Sequence, residues 1–457
     1  MSRGMSGGMG RGMRLIRQTV CLALGVFLTA CAGAAPVVSA PVGALAATPA
    51  AATPADTSTA AEPSPPSPAL FLTPGLTATV PSGLMYRLPN GLWLGGADGM
   101  SQRLSTDPYA LISPDGQWAL TQCGCAHAGS SYEVANLKTD KVLITLIGAT
   151  QVVWSADSSL VYYTADSGEG SDLWVYDLAT SQKRNLSNTP DRIEALDATR
   201  PMPTDPLVFY SFSARDPIFS VGEGWVGYVT LMRADGTGYQ VISDVPVTHY
   251  AALAPDGQTL AYAGYVDINS QSMQTAWLYH LGVGAQFFPL EQYGFSRADT
   301  SLASAAWSPD GKQIAWWTLG WGANGVSGIG VFDLAAKTMR LAGRFRAPDS
   351  GGGSTPAPLW SPDGQWLAFY GAEMGRDQYG VWLVEVGGHQ RRQVVGLSKN
   401  YDTCSKAWSP DSRQLALACN DPALAPGIWL AEVSTGQMLP TNVVTDSAVI
   451  DWSELRP

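Results

Sequence analysis

A short phrase, Ser-Pro-Asp-Gly, returns through this chain at residues 113–116, 308–311 and 361–364. Looser copies stand at 155–158 (Ser-Ala-Asp-Ser), 254–257 (Ala-Pro-Asp-Gly) and 409–412 (Ser-Pro-Asp-Ser). Each leads into an apolar run, at 117–120, 160–163, 260–262, 314–317, 367–370 and 415–418. A supersecondary unit repeated at this period cannot bury its apolar faces alone, so such chains fold as propellers or solenoids.

The phrase has the chemistry of a hairpin turn. Serine caps its own turn, proline presets φ, aspartate tolerates the third position, and glycine supplies a positive φ. Ser158 and Ser412 stand where glycine sits elsewhere, which predicts strained or differently shaped turns there. The strand after each turn is apolar at almost every position, the pattern of a strand covered on both faces. Tryptophan precedes the turn residues at Trp154, Trp307, Trp360, Trp408 and Trp452. A large ring recurring in phase with the repeat reads as packing between neighbouring units. A second half-repeat follows, as at 172–178, 328–334, 380–386 and 427–433, and then a short fourth strand such as 337–341. Four strands per unit make a propeller blade.

The turn aspartates are Asp115, Asp157, Asp256, Asp310, Asp363 and Asp411. The interval from Asp157 to Asp256 is double the others, and a degenerate copy around Asp205, followed by 207–210, fills it. An eighth first strand at 448–453 ends the repeats, and 84–88, 92–94 and 101–104 supply three more strands. Pairing one C-terminal strand with three N-terminal ones closes a ring without an open edge. The fold class read here is all-β, a β-propeller of eight four-stranded blades with 3+1 closure over residues 81–457, or seven blades if the third unit is an insertion. Those 377 residues give about 47 per blade.

The N-terminus reads as a targeting segment. Arg3, Arg11, Arg14 and Arg17 precede an apolar stretch at 20–28 that is too short to span a membrane. The segment closes on Leu-Thr-Ala-Cys at 28–31, which resembles a bacterial lipoprotein signal and implies lipidation at Cys31. Residues 32–80, almost all Ala, Pro, Thr, Ser and Val, are expected to form a disordered tether. Without the four leader arginines, 23 basic residues face 38 acidic ones, a net charge of −15. Nucleic acid is therefore excluded as a partner, and membrane attachment falls to the lipid alone.

Cys123, Cys125, Cys404 and Cys419 remain after the leader. Cys404 and Cys419 flank one hairpin symmetrically, so a cross-strand disulfide is expected, directly opposed or one step out of register. Cys123, Cys125 and His127 alternate along the chain and form a weak soft-metal candidate. A Cys-x-Cys disulfide or a pair of thiols is the simpler reading, and no cofactor or metal is expected.

The Trp-Ser-Pro-Asp-Gly-x-x-Leu/Ile-Ala copies, best at 307–315 and 360–368, resemble those of the TolB-type propeller family over about residues 81–457. The resemblance implies the fold and extracytoplasmic binding or gating work, with no shared catalytic residue. The chain departs from that type by its lipid anchor, its blade number and the lack of an α/β domain ahead of the repeats.

Little in the sequence points to catalysis. The Gly-x-Ser-x-Gly elbow of a hydrolase domain is absent, and the four histidines form no metal-ligand pair. A glycan-cleaving propeller would need arginines gathered beside a carboxylate or tyrosine; Arg215, Arg297, Arg344, Arg346 and Arg376 all fall in predicted loops. Because the Ser-Pro-Asp-Gly turns are short, the long connections at 213–227, 264–275, 292–304, 320–327, 345–358, 371–380 and 397–406 all emerge on the opposite face. Function concentrates in loops carried on a rigid scaffold. Phe219, Trp225, Phe295, Arg297, Trp321, Arg344, Arg346, Tyr379 and Tyr401 are the candidate ligand-binding residues there. The expected function is a non-catalytic, monomeric, lipid-anchored module that binds an envelope protein, peptide or glycan. The alternative is a carbohydrate-active hydrolase or lyase with its site in the central funnel.

Overall fold

A computed structural model of the chain describes residues 77–123, 130–168, 170–189, 192–196, 202, 205–213, 228–243, 247, 251–268, 271–287, 290–295, 300–320, 325–348, 356–398, 402, 404–444 and 447–452. Cys31 and most of the expected tether lie outside them. Among the described residues the strands form successive antiparallel meanders of four, at 111–147, 149–185, 192–241, 252–287, 300–343, 359–397 and 404–440. An eighth is assembled from both ends of the chain: Ala448–Trp452 pairs with Leu84–Leu88, which continues into Gly91–Gly95 and Ser101–Ser105.

The turn phrase works as its chemistry predicts. Ser113 Oγ donates to Asp115 Oδ1 at 2.5 Å and accepts the Trp118 amide at 2.9 Å. The same pair of bonds recurs from Ser155, Ser308, Ser361 and Ser409. The fourth turn residue has a φ of 71° at Gly116, 68° at Gly311 and 69° at Gly364. Ser158 and Ser412 adopt 64° and 62°, so their turns keep the shape of the glycine turns rather than departing from it. The reason is a bond between neighbouring meanders: Ser158 Oγ accepts the Asp115 amide at 2.9 Å, and Ser412 Oγ accepts the Asp363 amide at 3.0 Å.

Tryptophan ties the meanders together in a second way. The indole N–H donates to a main-chain carbonyl of the preceding first strand: Trp154 to Leu111, Trp307 to Ala252, Trp360 to Ala306 and Trp408 to Leu359. Trp452 donates to Ser82, joining the two ends of the chain. The rings are buried or nearly so, and the polar edge of each finds a partner, as a buried indole requires.

The core is divided into layers. Each apolar cluster is shared by two consecutive meanders, as where Trp317, Phe345, Phe369 and Trp382 interlock between the fifth and sixth. Val80, Leu84, Ile428 and Trp452 join the seventh to the eighth, and Met85, Leu92, Ala110 and Ala119 join the eighth to the first. Strands covered on both sides explain why the sequence showed no alternation. The fold is a β-propeller.

Three expected connections differ from the structure. Strands Thr259–Ile268 and Gln271–His280 fill most of 264–275, Thr300–Trp307 takes up the end of 292–304, and Trp366–Glu373 with Tyr379–Glu385 shorten 371–380 to a turn. Main-chain pairing continues past the point where the side chains stop being apolar. The third meander is the irregular one. Its strand Arg192–Ala195 pairs in parallel with Ser171–Asp177 at Ser171 and Ile193, so the second and third meanders share one sheet.

Candidate functional site

The first strands run toward the Ser-Pro-Asp-Gly turns, so the connections from second to third strands and those leading into the next meander gather at the opposite end. Of the residues expected there, Phe219, Trp225, Arg297, Trp321 and Tyr401 lie outside the described residues, as does Arg215. Phe295 packs in the core between the fourth and fifth meanders beside Tyr293 and Trp316. Arg344, Arg346 and Tyr379 do come together on the sixth meander. The Tyr379 hydroxyl reaches the Ala347 carbonyl at 3.5 Å, and the Arg344 carbonyl accepts the Met374 amide. Arg346 faces Asp377 at 3.8 Å, both well exposed. Arg376 pairs with the nearly buried Glu373 at 3.1 Å, and Arg391 meets the same carboxylate at 2.6 Å. Two of the named arginines thus already face a carboxylate.

Cys404 and Cys419 stand directly opposite in their hairpin and form a disulfide. Close by, Lys406 donates to Asp402 Oδ2 and to the Cys404 carbonyl, each at 2.7 Å. Cys123 is also disulfide-bonded, which denies a soft metal that thiolate; Cys125 and His127 lie outside the described residues. Among the described residues, no three His, Cys, Asp or Glu side chains are placed to hold a metal.

A second group of ionisable side chains leaves little trace in the sequence. It lies where the second and third meanders share a sheet. Ser171 Oγ donates to the Glu194 carbonyl and accepts the Glu194 amide, both at 3.0 Å. The Glu194 side chain, on a residue only 2 % exposed, meets Thr189 Oγ1 at 2.8 Å and the Tyr239 hydroxyl at 3.1 Å through Oε1. Ser211 Oγ lies 2.8 Å from the Tyr239 hydroxyl and accepts from Arg192 Nε at 2.5 Å. Thr189 also donates its amide to the buried Asp172 at 3.1 Å. Among the described residues, Glu194 Oε2 is buried with no partner. Burial holds the Glu194 carboxyl above the usual carboxylate range, against the pull of its hydrogen bonds and of Arg192. Burial, then the charge of Glu194, pushes the Tyr239 hydroxyl up as well. The one available signal was an acid placed inside an apolar first strand, Ile193-Glu-Ala-Leu196.

A rigid propeller with one uniform end and one variable end is the class that this geometry defines. No protein-family model matches the chain, and no curated protein matches it. Solved structures similar to it include an oligogalacturonate lyase in complex with manganese, 15% identical over 70% of this chain and 87% of that one, with a TM-score of 0.45. TolB from Acinetobacter baumannii is 14% identical over 80% of this chain and 66% of that one, with a TM-score of 0.32. The β-propeller domain of the trilobed protease from Pyrococcus furiosus is 12% identical over 66% and 86%, with a TM-score of 0.39. Each is a likeness in fold and nothing more.

Proposed function

We propose that the chain is a lipid-anchored, extracytoplasmic propeller of eight blades. Its role is to bind an envelope protein, peptide or glycan on the end opposite the Ser-Pro-Asp-Gly turns. The observation that carries this reading is the contrast between the two ends. The turn end repeats the same serine–aspartate bond in the first, second, fifth, sixth and seventh meanders. At the other end the connections differ from meander to meander. A four-residue link joins Leu160–Asp166 to Ser171–Asp177, ten-residue strands project as a hairpin in the fourth meander, and residues 347–358 interrupt the first strand of the sixth. A uniform scaffold bearing unlike loops is the usual build of a recognition surface. The Cys404–Cys419 disulfide supports an oxidising compartment, and the Leu-Thr-Ala-Cys segment ending at Cys31 supports the anchor.

The test is capture from envelope extract on the full chain, beside a variant whose 374–378 turn is replaced by Asn-Gly and one lacking 264–275. A partner retained by the chain and lost with either change is the expected result; equal capture by all three overturns the reading. The carbohydrate-active alternative draws on Glu194, Tyr239 and Arg192. Turnover of a glycan that Glu194→Gln abolishes would decide for it.

A further inference from the structure

The joint between the second and third meanders differs in kind from the layered packing elsewhere. One ladder pair, Ser171 with Ile193, joins their strands, backed by the two bonds of the Ser171 hydroxyl to the Glu194 main chain. The approach is close enough that a Cβ on Gly170 would lie 1.9 Å from the Arg192 carbonyl oxygen. Into this seam points a carboxyl group with one oxygen satisfied and the other buried without a partner among the described residues. The charged or titratable groups facing it are Arg192 on its own strand, Tyr239 from the outer edge of the third meander, and Asp172 from the second meander through Thr189. Arg192 reaches it only through Ser211 and Tyr239, so an ionised Glu194 has no cation in direct contact among the described residues.

We propose that this seam is a pH-responsive joint: protonated Glu194 holds the third meander against the second, and ionised Glu194 loosens it. A neutral carboxyl leaves Oε1 accepting from Thr189 and Tyr239, and the seam stays closed. Ionisation places a charge on a buried carboxylate, one oxygen of which has no hydrogen-bond partner among the described residues, and burying such a charge is costly. The sign follows from burial, which raises the folded-state affinity of Glu194 for its proton. The stabilisation is therefore complete below the unfolded value, about 4.3, and is lost as pH rises through the folded one. A loosened seam frees the edge of Ser171–Asp177 and the first strand of the third meander at the variable end. A binding surface there would change with the acidity of the medium.

The experiment is amide hydrogen exchange on the full chain between about pH 5 and pH 8, corrected for intrinsic rates, with wild type beside Glu194→Gln. In wild type, exchange at 192–195 should rise several-fold across the range relative to Thr338–Gly343 in the fifth meander, because burial raises the folded-state proton affinity of Glu194. In Glu194→Gln the ratio should stay flat. A flat ratio in wild type, or the same rise in both proteins, overturns the proposal. The wild-type ratio alone decides the matter if the variant does not fold.

Discussion

Ser158 and Ser412 show at the scale of single residues how a repeat tolerates a departure from its own consensus. A non-glycine residue at positive φ carries a cost of roughly 1 kcal/mol. Each hydroxyl offsets it by accepting an amide from the preceding turn. Ser158→Ala keeps the backbone cost and discards the bond, leaving the Asp115 amide without that partner, and should destabilise by about 1–2 kcal/mol. Ser158→Gly should be close to neutral, since it removes cost and bond together. Urea denaturation of wild type and both variants separates these effects, and a Ser158→Ala midpoint equal to that of wild type would mean that the inter-turn bond contributes nothing. Asp310 and Asp411 carry a pH dependence of the ordinary sign. A bond from Ser308 Oγ and the Lys312 amide hold the Asp310 carboxyl below its usual range, and Ser409 and the Arg413 amide do so for Asp411. A depressed folded value gives stability above the unfolded pKa, about 3.9, that is lost as pH falls through the folded one. Asp310→Asn should therefore melt below wild type at neutral pH and converge with it in acid; parallel curves down to about pH 2 would contradict this.

At the scale of elements, the irregular third meander is where sequence and structure part. The repeat phrase placed the hairpins because the turn is local: Ser, Asp and the glycine position lie within four residues and bond to one another. The second half-repeats at 172–178 and 328–334 were legible for the same reason and are strands in the structure. What joins Arg192–Ala195 to Ser171–Asp177 is an approach across the sheet edge, and only Gly170 hints at it in the sequence. Gly170→Ala forces a methyl against the Arg192 carbonyl, so the strands must part. A loss of about 2–3 kcal/mol is expected. Faster amide exchange in Arg192–Ala195 than in the sixth meander should accompany it, and uniform exchange would place the strain elsewhere. The candidate site was harder to read than the strands. Phe295 is an aromatic loop residue by sequence, yet its neighbours Tyr293 and Trp316 enclose it, and composition cannot tell a ring that packs its own loop from one that meets a ligand.

Closure sets the behaviour of the molecule as a whole. Leu84–Leu88 pairs with Ala448–Trp452 to complete the eighth meander, and the segment before Leu84 adds a clasp. Ala78 bonds on either side of Thr441, to the Pro440 carbonyl and the Asn442 amide. Val80 is buried between the seventh and eighth meanders, and Trp452 holds Ser82. Removing the chain through Val80 strips the two Ala78 bonds and one fully buried valine, worth about 2–4 kcal/mol together. Calorimetry should show a lower midpoint in a single transition. An unchanged midpoint would mean that strand pairing closes the ring unaided.

The sequence by itself determined the unit: a serine–aspartate turn, a strand covered on both faces, a tryptophan in phase with the repeat, and the one-plus-three division of the last meander. Those features are local or periodic, and a repeat writes them many times over. Only the tertiary structure decided which carboxyl oxygens are buried without a partner among the described residues, which arginines are already paired, and where two meanders share a sheet. Each of these depends on residues far apart in the chain arriving within a few ångströms of one another, and a single such meeting leaves no period to read.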